Sequence, residues 1–99
     1  MDNSVVRLSI TGRVQGVGYR AFVEDAAKRL QLDGWVRNQR DRSVEAVVKG
    51  PPQSIGELLV QLRRGPPGAE VDGIELTPAD EAALAERRPG AKFSVLPTA

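Results

Sequence analysis

A run of nine residues from Gly12 to Arg20, G-R-V-Q-G-V-G-Y-R, has the composition of an anion-binding loop. Glycines at positions 12, 16 and 18 allow positive φ angles and let a ligand reach the main chain without meeting a Cβ atom. Consecutive N–H groups turned toward one point attract an anion, and the start of a following helix adds partial positive charge. Arg20 can donate two parallel hydrogen bonds to a phosphate or a carboxylate. The run predicts a site for a tetrahedral oxyanion, phosphate first; the alternative is an ordinary turn with Arg20 in a surface ion pair.

The spacing from Val14 to Arg20 equals the C-x5-R spacing of cysteine-dependent phosphatases, with valine at the position of the nucleophile. The chain has no cysteine and no histidine, so it cannot form a phosphocysteine or a phosphohistidine. Hydrolysis at this loop would therefore require direct attack of water. Direct attack suits an acyl phosphate, because its carboxylate leaving group has a conjugate-acid pKa of about 4 and needs no general acid.

A second candidate residue, Asn38, ends the run G-W-V-R-N. This run is predicted to be a short strand that could lie beside the strand leading into the loop. A carboxamide both donates and accepts hydrogen bonds, which suits the orientation of a neutral water molecule. Asparagine is also common near turns, so Asn38 taken alone is equally explained by local structure.

Length and composition indicate one globular domain spanning residues 1–99. With 27% charged residues and a formal net charge of +1, the chain lacks the strongly basic balance of general nucleic-acid binders. No apolar run approaches the roughly 20 residues of a membrane span, and the N-terminal residues lack the features of a secretory signal. The missing cysteine and histidine exclude disulfides and the usual transition-metal ligand sets. We therefore expect a cytoplasmic protein without a metal, a membrane partner or a nucleic-acid partner.

Hydrophobic periodicity predicts the elements that position these residues. Apolar residues spaced by three and four favour one helix directly after the glycine-rich loop and another after Gly50-Pro51-Pro52. Alternation or short apolar runs favour strands over 5–12, 34–39, 43–49, 71–76 and 92–96, and a polar stretch over 80–88 could include one helical turn. The order β-α-β-β-α-β with a short extra C-terminal strand predicts an α+β fold, a ferredoxin-like two-layer sandwich with two helices on one face of an antiparallel sheet.

The run G-R-V-Q-G-V-G-Y-R, and G-W-V-R-N with the later Val44 and Gly50, resemble the two signatures of the acylphosphatase family, and the resemblance extends over almost the whole chain. It implies a ferredoxin-like fold and hydrolysis of acyl phosphates to a carboxylate and inorganic phosphate, without a metal, a cofactor or a covalent intermediate. By this resemblance Arg20 binds the phosphate and Asn38 positions the water. The residues assigned to the phosphate-binding loop are Gln15, Gly16, Val17, Gly18, Tyr19 and Arg20.

One position departs from the family pattern. Arg42 stands in the turn after Asn38, where the second signature normally has glycine. An arginine at positive φ is strained, so we expect a different turn geometry there, with the chemistry intact. Other arginines near the two runs are interpreted as solvated charges that raise the local positive potential, namely Arg13, Arg37 and Arg40.

The aromatic residues are assigned to packing. Trp35, Phe22 and Phe93 are expected to fill the core. Tyr19 is expected to pack as well, with its hydroxyl group bonded to a partner or to water rather than taking part in catalysis.

Three functions fit parts of this pattern. The leading hypothesis is a monomeric acylphosphatase that acts on a small-molecule acyl phosphate. The second is a binding module that senses an acyl or carbamoyl phosphate with little turnover, like the acylphosphatase-like domain of hydrogenase maturation proteins. The third, an RNA-binding module, shares the β-α-β-β-α-β order but needs aromatic residues displayed on its sheet. This chain has one tryptophan, one tyrosine and two phenylalanines and lacks such an aromatic run.

Overall fold

A computed structural model describes residues 2–99 of the chain. It confirms the predicted order of elements and the two-layer α+β arrangement. The five strands form one sheet in the order β4-β1-β3-β2-β5. No helix within residues 2–99 is long and apolar enough to cross a membrane. The elements are β1 (Ser4–Arg13), α1 (Tyr19–Arg29), β2 (Asp33–Asn38), β3 (Val44–Gly50), α2 (Pro52–Arg64), β4 (Glu70–Pro78), α3 (Glu81–Leu84) and β5 (Phe93–Val95).

The main core lies between the sheet and the helices α1 and α2. Alternate side chains of β1 point to the helices, and Leu8 and Ile10 are fully buried there. The helices contribute apolar residues at helical spacing, such as Val23 from α1 and Leu58 from α2. This packing fixes the end of β1 against the start of α1, which is where the glycine-rich loop runs.

The sheet is mixed, so the expectation of a purely antiparallel sheet is wrong. β5 pairs with β2 in parallel, with Gly34 opposite Phe93 and Val36 opposite Val95. The physical reason is the path of residues 79–92, which connect β4 at one edge of the sheet to β5 at the other edge. β4 ends at one end of the sheet, and the chain crosses to the opposite edge at that same end. β2 also begins there, so β5 must run in the same direction as β2.

A second, smaller core covers the sheet face that is turned away from α1 and α2. Trp35 of β2 is fully buried there against Val47 and Leu84. Its indole N–H donates a hydrogen bond to the carbonyl oxygen of Ala83 at 2.7 Å. Trp35 therefore fills a core as expected, but it is the core beneath α3 and not the one beneath the two long helices.

A bulge in β4, at Asp72, lies opposite the point where β1 runs through Gly12 into the glycine-rich loop. The pairing of β1 with β4 shifts register between Thr11 and Gly12. Gly12 has φ of +121°, and a Cβ atom at this position would lie 2.1 Å from the carbonyl oxygen of Glu70. Glycine is required here because β4 approaches the backbone this closely.

Candidate active site

The loop between β1 and α1 borders a cavity of about 310 Å³. The sign of the φ angle alternates along this loop. Gly16 and Gly18 have φ angles of +76° and +79°, whereas Gln15, Val17 and Tyr19 are not in the positive-φ region. Such alternation turns successive N–H groups toward a common concavity and is typical of anion-binding nests. Gly16 and Gly18 both line the cavity, and a Cβ atom at either would meet nothing within 4 Å. These glycines are therefore needed for their backbone conformation and not for lack of space.

The main-chain amides of this loop are available to a ligand. Within residues 2–99, none of the amides from Gln15 to Tyr19 donates to a backbone or side-chain acceptor. The first helical hydrogen bond of α1 runs from Phe22 N–H to Gly18 O at 3.1 Å, so the amides before it also point out of the helix start. Unpaired donors at a helix N-terminus, with its partial positive charge, favour a bound anion.

Tyr19 anchors the end of the loop beneath α2. Tyr19 is 1% exposed, and its hydroxyl group donates to the carbonyl oxygen of Leu62 at 2.8 Å. Leu62 lies in the last turn of α2, where helix carbonyls lack partners within the helix. Burial raises the pKa of Tyr19 above its usual value, so the phenol stays neutral. The expectation that Tyr19 packs and bonds a partner is confirmed, and this packing fixes the backbone that carries Arg20.

Asn38 and Arg20 line the same cavity although they are distant in sequence. Asn38 is the last residue of β2, and its backbone is fixed on both sides of the strand. On one side it pairs with Val44 of β3, and on the other its carbonyl oxygen accepts from Ala99 N–H at 3.1 Å. The tertiary structure thus brings the end of β2 beside the start of α1. The glycine-rich run and the run that ends at Asn38 could bind one ligand only in such an arrangement.

Not every residue assigned to the loop borders the cavity. Gln15, Gly16, Gly18, Tyr19 and Arg20 do, whereas the side chain of Val17 packs against the main core. Further lining residues, which the sequence reasoning did not assign to the site, are Val14, Ala21, Glu24 and Val95.

Glu24 is the charged residue among these further lining residues. It follows Arg20 by one helical turn on α1, and that i, i+4 spacing is the signal that could have identified it. In the structure Glu24 pairs with Lys28 at 3.3 Å. No carboxylate within residues 2–99 lies within ion-pair distance of Arg20. The guanidinium group is therefore available to an anion in the cavity.

The side chain of Gln15 was also missed, since the loop was assigned only main-chain contacts. Its Nε2 atom donates to the carbonyl oxygens of Gln39 and Ser43, at 2.8 and 2.9 Å. Both acceptors belong to the turn that joins β2 to β3. Gln15 therefore connects the loop directly to the turn that follows Asn38.

Arg42 contradicts the expectation of a different turn geometry. Its φ angle is +77°, and its N–H donates to the carbonyl oxygen of Gln39 at 3.1 Å. A turn followed by a residue in the left-handed region is the usual three-residue hairpin loop, and the left-handed position usually holds glycine. The turn thus has a backbone that favours glycine at this position, and Arg42 adopts it despite the strain. The reason is that pairing of the β2–β3 strands and the contacts from Gln15 hold both ends of the turn.

Arg37 is not a solvated charge, which corrects its interpretation from sequence. Its side chain is 21% exposed and donates to Glu45 at 2.9 Å and to Glu86 at 3.2 Å. Its guanidinium group also lies 4.6 Å from the centre of the Trp35 ring. This packing occupies the face opposite the cavity, because side chains alternate along β2 and Asn38 points to the other side. Arg13 and Arg40 are exposed, as expected.

The family model described as Acylphosphatase matches residues 6–92. A curated Acylphosphatase of Rhodopseudomonas palustris (strain BisB18) is 51% identical over 98 residues, covering 99% of each chain. Two solved structures are similar at 32% identity: an acylphosphatase from Coxiella burnetii, with a TM-score of 0.82 over 96% of this chain and 94% of that one, and an acylphosphatase from Bacillus subtilis, with a TM-score of 0.79 over 93% and 97%. With a matching family model, a relative identical at half of its positions and the same fold, the chain belongs to the acylphosphatase family.

Proposed function

We propose that this enzyme hydrolyses acyl phosphates to a carboxylate and inorganic phosphate by direct attack of water on phosphorus, in the cavity bordered by the glycine-rich loop. One observation carries the proposal. Arg20, the amide-rich loop and Asn38 border one cavity, in a chain that has neither cysteine nor histidine. Such a site can hold a phosphoryl group and orient water, and neither a cysteine nor a histidine is present to form a phosphorylated intermediate.

The phosphoryl oxygens would accept hydrogen bonds from the loop amides and from the Arg20 guanidinium group. The loop amides are fixed before the substrate arrives, because the glycines set their direction and Tyr19 anchors the following backbone beneath α2. Preorganised donors of this kind stabilise the charge of the transition state and commonly contribute a factor of about 10²–10³ each in rate.

Asn38 would hold the attacking water on the opposite side of the phosphoryl group from the leaving carboxylate. The carboxamide oxygen can accept a hydrogen bond from one O–H of the water and leave a lone pair of the water directed at phosphorus. The acyl oxygen departs as a carboxylate, so the reaction needs no proton donor at that atom. The proton released by the attacking water passes to solvent or to a phosphate oxygen.

The direct test is benzoyl phosphate hydrolysis followed by ultraviolet absorbance, with inorganic phosphate as a competitive inhibitor. Arg20→Ala should weaken both turnover and inhibition by phosphate, by at least about 100-fold in kcat/KM. Asn38→Ala should lower kcat by a similar factor and change the inhibition constant of phosphate by less than about two-fold. Matched controls are Arg63→Ala, on the exposed surface of α2, and Asn3→Ala, exposed before β1; both should retain full turnover.

Two results would contradict the proposal. If Asn38→Ala retains the kcat of the parent enzyme, water positioning by this residue is wrong. If calorimetry detects tight binding of acyl phosphate while no phosphate is released, the chain is a sensor of these compounds and not a hydrolase.

We further infer that the enzyme acts as a monomer in the cytoplasm. Both edges of the sheet discourage pairing with another chain: β5 has three residues, and β4 carries a bulge, a terminal proline and several acidic residues. Of the large hydrophobic residues within residues 2–99, Val60 and Leu76 are the ones that stand exposed, and they lie on different elements. Light scattering after size exclusion tests the monomer, and fractionation of cells tests the location.

A further inference from the structure

A hydrogen-bonded clamp joins the two halves of the candidate site. The Nε2 atom of Gln15 donates to Gln39 O at 2.8 Å and to Ser43 O at 2.9 Å. Because both neighbours are carbonyl oxygens, the nitrogen end of the carboxamide must face them. The two N–H groups of one side chain thus bind both ends of the β2–β3 turn.

Each of the two carbonyl oxygens also accepts a hydrogen bond from within the turn. Gln39 O accepts from Arg42 N–H at 3.1 Å, and Ser43 O accepts from Gln39 N–H at 2.9 Å. With the Gln15 contacts, both lone pairs of each oxygen are occupied. Gln15 is therefore part of a complete hydrogen-bond arrangement, and removing its side chain would leave two partly buried acceptors each short of one donor.

The position of the clamp matters because of what stands at each end. Gln15 begins the phosphate-binding loop, one residue before Gly16, and it borders the cavity itself. Gln39 directly follows Asn38. The sheet does not fix this separation by itself: the last residue of β1 paired with β3 is Ile10, opposite Val44, and β1 then continues beside β4 alone. Among residues 2–99, the hydrogen bonds that cross from the loop beyond Ile10 to the β2–β3 turn are the two from Gln15.

We propose that Gln15 is a positioning residue, which sets the distance between the phosphate-binding loop and the Asn38 carboxamide through its side chain. This inference rests on the function proposed above. It assigns Gln15 a role in aligning water with phosphorus, separate from the contact of its main-chain amide with phosphate. A shift of about 1 Å between reacting groups can cost on the order of 100-fold in rate.

The test is a double-mutant cycle in kcat with benzoyl phosphate, made from Gln15→Met and Asn38→Ala. Methionine keeps the length of the side chain and removes both donors. Gln15→Met should lower kcat by about 10-fold or more and leave the inhibition constant of inorganic phosphate within about two-fold. In the Asn38→Ala background the same substitution should lower kcat by less than about two-fold, because residues that act as one unit are not additive. The matched control is Gln53→Met, on the exposed face of α2, which should leave kcat unchanged.

Three outcomes would overturn the inference. One is an equal loss of kcat in both backgrounds, since Gln15 would then act independently of Asn38. Another is a rise in the inhibition constant of phosphate with kcat preserved, which would make the side chain a phosphate-binding group. The third is unchanged kcat in folded Gln15→Met. Circular dichroism and thermal unfolding show whether Gln15→Met is folded. If it is not, Gln15→Asn replaces it in the cycle, because the asparagine side chain is one methylene too short to reach both carbonyl oxygens. Loss of the proposed function is distinct, because it would appear as full kcat in the single variant Asn38→Ala.

Discussion

Replacement of Arg42 by glycine should stabilise the enzyme, although it removes a large side chain. Arg42 has a φ angle of +77° in the β2–β3 turn, and its side chain is exposed, with no ion pair among residues 2–99. The left-handed conformation costs an ordinary residue about 1–2 kcal/mol, because its Cβ atom crowds the following carbonyl oxygen. Glycine removes this cost.

The gain is reduced by the unfolded state. Glycine has more backbone freedom in the unfolded chain, which costs roughly 0.4–1 kcal/mol on folding. The net expectation for Arg42→Gly is a rise of about 0.5–1 kcal/mol in the free energy of unfolding. In a domain of this size that corresponds to a rise of roughly 2–8 °C in Tm. Urea denaturation and thermal unfolding followed by circular dichroism measure both quantities.

Two variants separate the backbone from the charge. Arg42→Ala removes the same guanidinium group and retains Cβ, so the strain stays and the stability should change by less than about 0.5 kcal/mol. Arg40→Gly lies in the same exposed turn at a residue without positive φ, so it should lose about 0.5–1 kcal/mol. If Arg42→Gly is no more stable than Arg42→Ala, the argument from backbone strain is refuted. The kcat of Arg42→Gly should stay within about two-fold of the parent enzyme, since the turn keeps its path.

Four further predictions concern other parts of the fold. Gln31 has a φ angle of +59° at the end of α1, where Leu32 N–H donates to Ala27 O at 2.9 Å as in a Schellman motif. Gln31→Gly should therefore also raise the free energy of unfolding, by about 0.5 kcal/mol in urea titrations. Tyr19→Phe deletes the buried hydrogen bond to Leu62 O and should lower that free energy by about 1–2 kcal/mol in the same titration; no loss would mean that α2 finds another donor for this carbonyl. Gly12→Ala would place a methyl group 2.1 Å from Glu70 O at a positive φ, so we expect a loss above about 3 kcal/mol or failure to fold, seen in soluble yield and circular dichroism. Hydrogen bonds from Ser43, first its hydroxyl and then its N–H, hold the pKa of Asp41 below its usual value. Their contribution to stability is present above about pH 5 and is lost as pH falls through the folded-state pKa. The Tm difference between the parent enzyme and Asp41→Ala should therefore shrink toward about pH 2.

Local patterns in the sequence were sufficient for the elements and for the identity of the candidate site residues. Alternation of Val6, Leu8 and Ile10 predicted β1, and the glycines at 16 and 18 predicted a loop that requires positive φ. These signals are local, because a strand's face and a residue's backbone preference depend on a few neighbours along the chain. The assignment of Arg20 and Asn38 to one ligand rested on the expected adjacency of two strands and on the two family signatures, because no local rule relates residues so far apart in sequence.

Other features could not be predicted because they depend on contacts between distant segments. The parallel pairing of β5 follows from the crossover of residues 79–92, whose path over the sheet has no periodic signal. The ion pairs of Arg37 and the clamp from Gln15 involve partners that are not adjacent in sequence. Without knowledge of those partners, Arg37 was predicted to be solvated and Gln15 was predicted to act through its main chain. A turn without positive φ was expected at Arg42. The structure has a positive φ there, because both strands and Gln15 hold the turn.

The amino-acid sequence by itself determined which chemistry is open to this protein. A chain with no cysteine and no histidine cannot take a phosphoryl group onto either of those side chains, and its glycine-rich loop ending in an arginine has the composition of a phosphate-binding site. Only the tertiary structure decided that the loop and Asn38 border one cavity, and at what separation they are held. The physical reason is that residue type sets what a group can donate or accept, whereas distance between remote groups is set by the packing of helices on the sheet and by the few hydrogen bonds that cross between its strands.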